Sequence, residues 1–229
     1  MSPQPSARVV DTVNPYTGQV EYRVPLMEAA AVEERLAAAA RAFPEWAALS
    51  LEQRGRHVRR AGEVLRRRRE DIQRLMTAEM GKLRREALAE VEKCAACCDH
   101  YADHAVEYLQ PQTIMTEARS SYVRYEPLGC VFAVMPWNFP IWQVFRFLAP
   151  ALMAGNVAVL KHASNVPRCA DAIAEVLAAA GLPAGVFGVL HIDNDQAAEV
   201  IRDARVAAVT LTGSERAGRS VAANAGSQL

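Results

Sequence analysis

The sequence has 229 residues, of which 51% are hydrophobic and 23% charged, a composition typical of a globular protein with a substantial core. Its 26 lysine and arginine residues balance 26 aspartate and glutamate residues, which argues against general binding to nucleic acid or to anionic membranes. The N-terminus lacks the apolar segment of a signal peptide, and five cysteines, an odd number, suit reduced thiols. We therefore expect a cytoplasmic protein.

The first predicted elements are two short strands followed by a long helical region. The motif VNPYTG at 13–18 has the chemistry of a turn between strands. From Glu28 to about Leu109, apolar residues recur at helical spacing in a sequence rich in alanine, leucine, arginine and glutamate. We expect Pro44, Gly55 and Gly81 to break or kink this region into several pieces.

Two clusters in the helical region resemble binding sites but have simpler explanations. The run RRRR at 66–69 continues into two acidic residues, which is typical of a solvated helix face. The cluster CAACC at 94–98, with His100 and His104 after it, resembles a set of metal ligands. One straight helix does not easily arrange four ligands around zinc, so we expect cysteines packed on a helix face and no metal site.

The segment from Gln110 to Tyr125 alternates like an exposed β-hairpin. A two-stranded ribbon of this kind is only marginally stable by itself. We expect residues 111–128 to protrude as a hairpin of the oligomerisation type, packed on another subunit or on a part of the protein beyond this chain.

From Gly129 onward, short apolar segments alternate with helical ones. The predicted strands are CVFAVM at 130–135, NVAVLK at 156–161, FGVLHI at 187–192 and VAAVTLT at 206–212. The predicted helices cover 141–154, 166–180 and 195–202, and a last one begins at Ser214. This alternation predicts an α/β fold with a doubly wound, Rossmann-like parallel sheet.

These elements suggest three parts. Residues 1–110 form N-terminal strands and helices that pack on the rest, residues 111–128 form the hairpin, and residues 129–229 form an incomplete nucleotide-binding α/β region.

Ligands of doubly wound sheets bind at the carboxyl ends of the strands. The candidates there are Pro136, Trp137 and Asn138 after the first strand, Lys161 to Ser164 after the second, and Gly213 and Ser214 after the fourth. No GxGxxG motif follows a strand. Gly213 and Ser214 either hold a phosphate at a helix N-terminus or are an ordinary N-cap.

The motif MPWNFP at 135–140 holds Asn138 between two prolines. Proline fixes its own backbone and pushes the residue before it to an extended conformation. Asn138 therefore lies at a stiff point of the chain, although asparagine is also a common loop residue that bonds its own backbone.

Four motifs in this order resemble the aldehyde dehydrogenase superfamily over essentially the whole chain: VNPYTG, MPWNFP, AGNVAVLKHAS and TLTGSERAG. The segments WNFPIWQVFR and LHIDNDQAAEVI are most similar to succinate-semialdehyde dehydrogenases within that superfamily.

The resemblance implies a thioester mechanism. A cysteine thiolate attacks the aldehyde, hydride passes to a nicotinamide ring, and a glutamate then activates water to release the acid. Asn138 matches the asparagine that stabilises the oxyanion.

The resemblance also implies the cofactor contacts. Lys161 matches the residue that binds the adenosine ribose and its 2′-phosphate, and Ser214 matches a pyrophosphate contact beside Gly213. Ser164 stands where many NAD-specific members carry a glutamate, which favours NADP over NAD because a carboxylate would repel the 2′-phosphate. Met135, Pro136 and Trp137 line the implied cofactor path.

Arg146 is a charge within an apolar predicted helix and needs a partner. One explanation is a buried structural ion pair. The other, which the resemblance favours, is that Arg146 binds the distal carboxylate of the aldehyde substrate.

The resemblance places the general-base glutamate in a LELGG motif and the nucleophile in a GQxC motif, and the chain ends at Leu229 before both. None of its five cysteines lies in such a motif. Two hypotheses follow: the chain is the N-terminal part of an aldehyde-oxidising enzyme, homo-oligomeric when complete, or it is a non-catalytic nucleotide-binding remnant.

Overall fold

A computed structural model describes residues 8–228, and within this range the chain forms eight strands and eight helices. The strands are β1 Val9–Val13, β2 Val20–Pro25, β3 Gln112–Thr113, β4 Tyr122–Val123, β5 Cys130–Met135, β6 Val157–His162, β7 Phe187–Val189 and β8 Val206–Leu211. The helices are α1 Ala29–Ala48, α2 Leu51–Arg67, α3 Arg69–Met80, α4 Arg84–Leu109, α5 Trp142–Met153, α6 Pro167–Ala179, α7 Asn194–Ile201 and α8 Glu215–Gly226.

The N-terminal turn joins β1 and β2 as an antiparallel pair. The side chain of Asn14 accepts a hydrogen bond from the backbone N–H of Tyr16 at 3.0 Å, and Gly18 has a φ of 71°. These two residues supply the side-chain acceptor and the positive φ that a tight turn needs.

The helical region breaks at Gly81, as predicted, whereas α1 and α2 continue through Pro44 and Gly55, so a break at these two residues was wrong. Gly81 ends α3 with a φ of 73°, the usual left-handed C-cap. Pro44 lies inside α1, which continues to the buried Trp46. A Cβ at Gly55 would lie 3.4 Å from the carbonyl oxygen of Ala102, an ordinary contact distance, so this glycine lies where α2 packs against α4 without being required by space.

The break between α1 and α2 lies at Ser50, which was not among the predicted break points. Ser50 begins α2 with a capping box, in which Ser50 and Gln53 exchange side-chain and backbone hydrogen bonds.

The predicted hairpin is present as the short pair β3 and β4. It exposes apolar side chains, including 90% of Met115, 58% of Tyr122 and 46% of Ile114.

The four remaining strands form the predicted parallel sheet, in the order β7-β6-β5-β8. Strands β5, β6 and β8 match the predicted segments closely, whereas β7 is shorter. Leu190 still donates its N–H to Leu160, but the carbonyl of the next residue, His191, accepts from Met27 outside the sheet.

Strand order makes the sheet doubly wound. The chain moves outward from β5 to β6 and β7, then crosses back over the sheet to β8 on the other side of β5. Because parallel crossovers are right-handed, α5 and α6 lie on one face and α7 on the other. The direction changes between β5 and β8, which is where ligands bind in such folds.

The buried residues of α1–α4 and of the sheet form one hydrophobic core. The boundaries of the three predicted parts stay a prediction. Within residues 8–228, every helix is too short or too polar to cross a lipid bilayer.

Candidate active site

Two cavities adjoin at the carboxyl ends of β6, β5 and β8. The sheet register pairs Val134 with Lys161 on one side and with Leu211 on the other, which brings the three strand ends together. We name the first cavity, of about 430 Å³, the α7–α8 cleft; among its lining residues are Val134, Lys161, Ala197, Ser214, Ala217 and Asn224. We name the second, of about 260 Å³, the Asn138 cleft; it is lined by Pro136, Trp137, Asn138, Thr212, Gly213 and Ser214.

Ser214 lines both clefts and begins α8. Its Oγ accepts a hydrogen bond from the N–H of Ala217 at 3.3 Å, which is an ordinary N-cap. Gly213 and Ser214 are both exposed at the start of α8, and Ser214 is shared by the two clefts. The N-cap is therefore present, and the same geometry suits a phosphate.

Lys161 is the most informative side chain of the α7–α8 cleft. It is only 9% exposed, yet among residues 8–228 no side chain forms a salt bridge or hydrogen bond with its ammonium. Burial lowers the pKa of Lys161, and the more distant Asp193 partly opposes that effect. A buried cation without a protein partner, lining a cleft, is suited to an anionic ligand.

Asn138 and Trp137 lie in the turn between β5 and α5, with exposed side chains that line the Asn138 cleft. Trp137 is 50% exposed. The backbone of this turn is held from the buried side. The Nζ of Lys82 donates to the carbonyl oxygen of Asn138 at 3.1 Å, and the Lys82 ammonium lies 3.7 Å from the centroid of the Phe139 ring.

Two more buried side chains hold the same turn. Glu90 accepts hydrogen bonds from the N–H groups of Ile141 and Trp142 at 2.8 and 2.9 Å. The Nε2 of His162 lies 2.8 Å from the carbonyl oxygen of Pro140. Lys82 and Glu90 were not among the residues predicted from the sequence. His162 lay within the predicted range Lys161 to Ser164, but without a role of its own.

Arg146 is exposed on the first turns of α5, and its Nη2 donates to Oγ1 of Thr212 at 3.1 Å. None of the salt bridges among residues 8–228 includes it. The structure therefore excludes the buried ion pair considered from the sequence. Because Thr212 lines the Asn138 cleft, Arg146 stands at the rim of that cleft.

Met135 and Ser164 lie apart from the two clefts. Met135 is 3% exposed and belongs to the core, whereas its neighbour Val134 lines the α7–α8 cleft, because successive strand side chains point to opposite faces. Ser164 is exposed and lines a different, small cavity with Val10 and His191.

The five cysteines are free thiols, and burial raises the pKa of each, with a value of about 11 for Cys130. A thiol with a raised pKa is a poor nucleophile at neutral pH. Within residues 8–228, no group of three or more metal-ligating side chains comes together. His100 and His104 are neighbours on α4, with Tyr108 bonded to His100 at 3.0 Å.

A parallel sheet with polar clefts at its switch point defines an α/β protein of the Rossmann-like class. The sequence profile described as "Aldehyde dehydrogenase family" matches residues 2–229, so the chain belongs to that family.

Individual relatives agree with this assignment. The chain is 50% identical over 220 residues to a probable succinate-semialdehyde dehydrogenase [NADP(+)] of Synechocystis, covering 96% of this chain and 48% of the relative. It is 43% identical over 218 residues to the succinate semialdehyde dehydrogenase [NAD(P)+] Sad of Escherichia coli, covering 95% of this chain and 47% of the relative.

The fold is also that of solved relatives. The crystal structure of a succinic semialdehyde dehydrogenase from Streptococcus pyogenes with NADP+ superposes with a TM-score of 0.93 at 39% identity, covering 96% of this chain and 48% of that one. The chain thus spans about half the length of the relatives that it matches.

Proposed function

We propose that this chain is the cofactor-binding and oxyanion-stabilising part of an NADP-dependent dehydrogenase that oxidises succinate semialdehyde. The overall reaction consumes an aldehyde, water and NADP+, and yields a carboxylate, NADPH and two protons. The observation that carries the proposal is the unpaired, buried Lys161 in a cleft that shares Ser214 with the Asn138 cleft.

The cofactor that fits the α7–α8 cleft is a dinucleotide. Lys161 supplies a cation for the ribose and its 2′-phosphate, and the start of α8 at Ser214 supplies backbone N–H groups for the pyrophosphate. When bound, NADP+ supplies the acceptor for the hydride that leaves the aldehyde. We favour NADP over NAD because the unpaired ammonium of Lys161 can bind the additional negative charge of a 2′-phosphate. The relatives described above are also named for NADP+ or NAD(P)+.

Asn138 is proposed to donate its side-chain N–H to the aldehyde oxygen as negative charge develops there. Such a donor contributes most when it is fixed before the substrate arrives, and losing one typically costs about 100 to 1000-fold in rate. Pro136 and Trp137 line the Asn138 cleft beside this donor and are proposed contacts of the cofactor, whereas Met135 is buried and acts only through the core.

Arg146 is proposed to bind the distal carboxylate of the substrate. The guanidinium is exposed, lies at the rim of the Asn138 cleft and has only a neutral hydroxyl, that of Thr212, as its partner. A carboxylate would replace that weak partner with a charge-assisted, two-point contact.

We also propose a cytoplasmic homo-oligomer whose subunits meet at the β3–β4 hairpin. Support comes from the exposed apolar side chains of that hairpin and from five unpaired cysteines, which suit a reducing compartment.

The test compares two proteins: the 229-residue chain and a fusion enzyme, in which this chain is joined to the second half of the Synechocystis relative. We expect the fusion enzyme to form NADPH from succinate semialdehyde. The 229-residue chain should bind NADP+ in calorimetry but form no NADPH, because the raised pKa of each of its thiols keeps that thiol protonated at neutral pH. Turnover by the 229-residue chain, or a fusion enzyme that folds but neither binds NADP+ nor oxidises aldehydes, would overturn the proposal.

A further inference from the structure

We propose that Lys82, Glu90 and His162 form a buried polar clamp that positions Asn138 for its role as oxyanion donor. The clamp holds the backbone of residues 138–142 and touches no substrate atom, so its members are positioning residues. The inference rests on the proposed function of Asn138, and its test separates the two.

The turn from β5 to α5 contains backbone groups that no helix or strand satisfies. The carbonyls of Asn138 and Pro140 follow the strand, and the N–H groups of Ile141 and Trp142 precede the first helical hydrogen bonds of α5. Buried backbone groups of this kind need partners elsewhere. The clamp supplies one partner to each of the four.

Lys82 and Glu90 hold the turn as a charged pair. Their side chains are 8% and 1% exposed, and the Lys82 ammonium is in direct contact with one carboxylate oxygen of Glu90. The other oxygen of Glu90 accepts from Ile141 and Trp142, while Lys82 donates to the carbonyl of Asn138. Charge-assisted hydrogen bonds in a buried setting are short and directional, which suits a group that must hold a backbone in one place.

His162 holds the centre of the turn, and its hydrogen bonds define its tautomer. Its Nδ1 accepts from the N–H of Ala163 at 2.9 Å, so Nε2 carries the proton and donates to the carbonyl of Pro140. His162 is 7% exposed, and burial lowers its pKa to about 4, so the imidazole is neutral at physiological pH.

Asn138 itself is held only through its backbone. Its side chain is exposed, and within residues 8–228 its amide forms no hydrogen bond. The direction of the amide therefore depends on where the clamp places residues 138–142. Displacing a catalytic group by about 1 Å can cost about 100-fold in rate.

Glu79 provides a matched control in the same region of the chain. It is 2% exposed and accepts from the N–H groups of Arg168 and Cys169 at 2.8 and 2.9 Å, at the start of α6. Glu79 thus resembles Glu90 in burial and bonding, but it holds a helix that does not carry Asn138. A purely structural role for the clamp predicts that the two glutamates behave alike.

The first experiment uses isotope-labelled 229-residue chain and nuclear magnetic resonance. We expect Glu90→Gln and His162→Phe to shift the side-chain amide signal of Asn138 and to speed exchange of the Ile141 N–H at least about 10-fold, because a lost partner opens the turn. Glu79→Gln should leave both signals unchanged. If the Asn138 amide signal is unmoved in Glu90→Gln and in His162→Phe, the clamp does not position it and the inference is wrong.

The second experiment measures kinetics in the fusion enzyme. Glu90→Gln should lower kcat about 10 to 100-fold with little change in the Kd for NADP+, while Glu79→Gln should change kcat less than about 3-fold. The double variant Lys82→Met with Glu90→Gln removes both buried charges, so thermal stability should recover while kcat stays low. Recovery of kcat together with stability would show a structural role only.

The two experiments separate the two proposals. If Asn138→Ala leaves kcat of the fusion enzyme unchanged, the proposed function of Asn138 fails. The resonance signals still decide whether the clamp holds the turn.

Discussion

The guanidinium of Arg146 and the hydroxyl of Thr212 are joined by a hydrogen bond of 3.1 Å, which links α5 to the carboxyl end of β8. Thr212 lines the Asn138 cleft, and the guanidinium of Arg146 has no acidic partner within residues 8–228. This pairing leaves the positive charge of Arg146 free to meet a carboxylate.

Replacing Arg146 should therefore affect one class of aldehyde more than another. In the fusion enzyme, Arg146→Ala should lower kcat/KM for succinate semialdehyde about 10 to 200-fold, because a charge-assisted bond contributes about 1.5 to 3 kcal/mol. Butanal, which has no carboxylate, should lose less than about 3-fold. Thr212→Val is the control for the lost hydrogen bond and should affect both aldehydes alike. Equal losses for both aldehydes in Arg146→Ala would contradict the substrate role.

Replacing Lys161 should stabilise the ligand-free chain and weaken its binding of NADP+. Its pKa is lowered in the folded protein, so the protonated ammonium destabilises the fold, and this penalty fades as the pH rises to the ordinary pKa of lysine. Lys161→Met should thus raise the melting temperature of the ligand-free chain at pH 7 while weakening NADP+ binding about 10 to 100-fold. Thermal unfolding and calorimetry measure the two effects. A variant that loses stability and keeps its affinity would remove Lys161 from the cofactor site.

Acid should weaken the fold through His162. Its pKa is about 4 in the folded protein, below the ordinary 6.5, so the unfolded chain binds more protons between these values and stability falls as the pH drops through that window. Between pH 7.5 and 5, this single group should lower the free energy of unfolding by about 2 kcal/mol.

Urea unfolding of the wild-type chain and of His162→Phe at the two pH values measures this contribution. The variant lacks the titrating ring, so its loss of stability between pH 7.5 and 5 should be smaller by about 2 kcal/mol. The same pH dependence in both chains would show that His162 is not buried in its neutral form.

Local sequence signals predicted the sheet well, because strands buried on both faces give continuous apolar segments such as β5 and β6. They placed Asn138, Lys161 and Ser214 at strand ends that the structure brings to adjoining clefts. They failed where tertiary contacts override local preference. Pro44 stays within α1, because Trp46 is anchored by a hydrogen bond from its ring N–H to the carbonyl of Leu152 at 3.1 Å.

The buried clamp was missed for a related reason. Lys82 lies 56 residues before Asn138 in the sequence, and Glu90 lies 51 residues before Ile141. No periodicity or spacing rule connects side chains so far apart. A lysine and a glutamate in a charged helical region are expected on its surface until the fold shows what covers them.

Gly185 should be among the positions least tolerant of substitution. Its φ is 89°, and a Cβ there would lie 2.5 Å from the carbonyl oxygen of Ala38 in α1. Gly185→Ala should lower the free energy of unfolding by about 2 to 5 kcal/mol, through backbone strain and overpacking combined. Gly18→Ala has a similar φ of 71° but open space around it, so its cost should be about 1 kcal/mol. Chemical denaturation of both variants measures the difference, and equal costs would show that α1 yields at this contact.

The buried thiols can also be used to measure how often the helices that carry them open locally. Cys94 and Cys98 lie in α4 and Cys169 in α6, all at most 1% exposed, whereas Cys97 is half-buried. A thiol-reactive reagent should modify Cys97 first and reach Cys94, Cys98 and Cys169 only when their helices separate from the core. Mass spectrometry of the labelling rate of each thiol, compared with that of an exposed thiol, would then give the free energy of opening for each helix without any engineered probe.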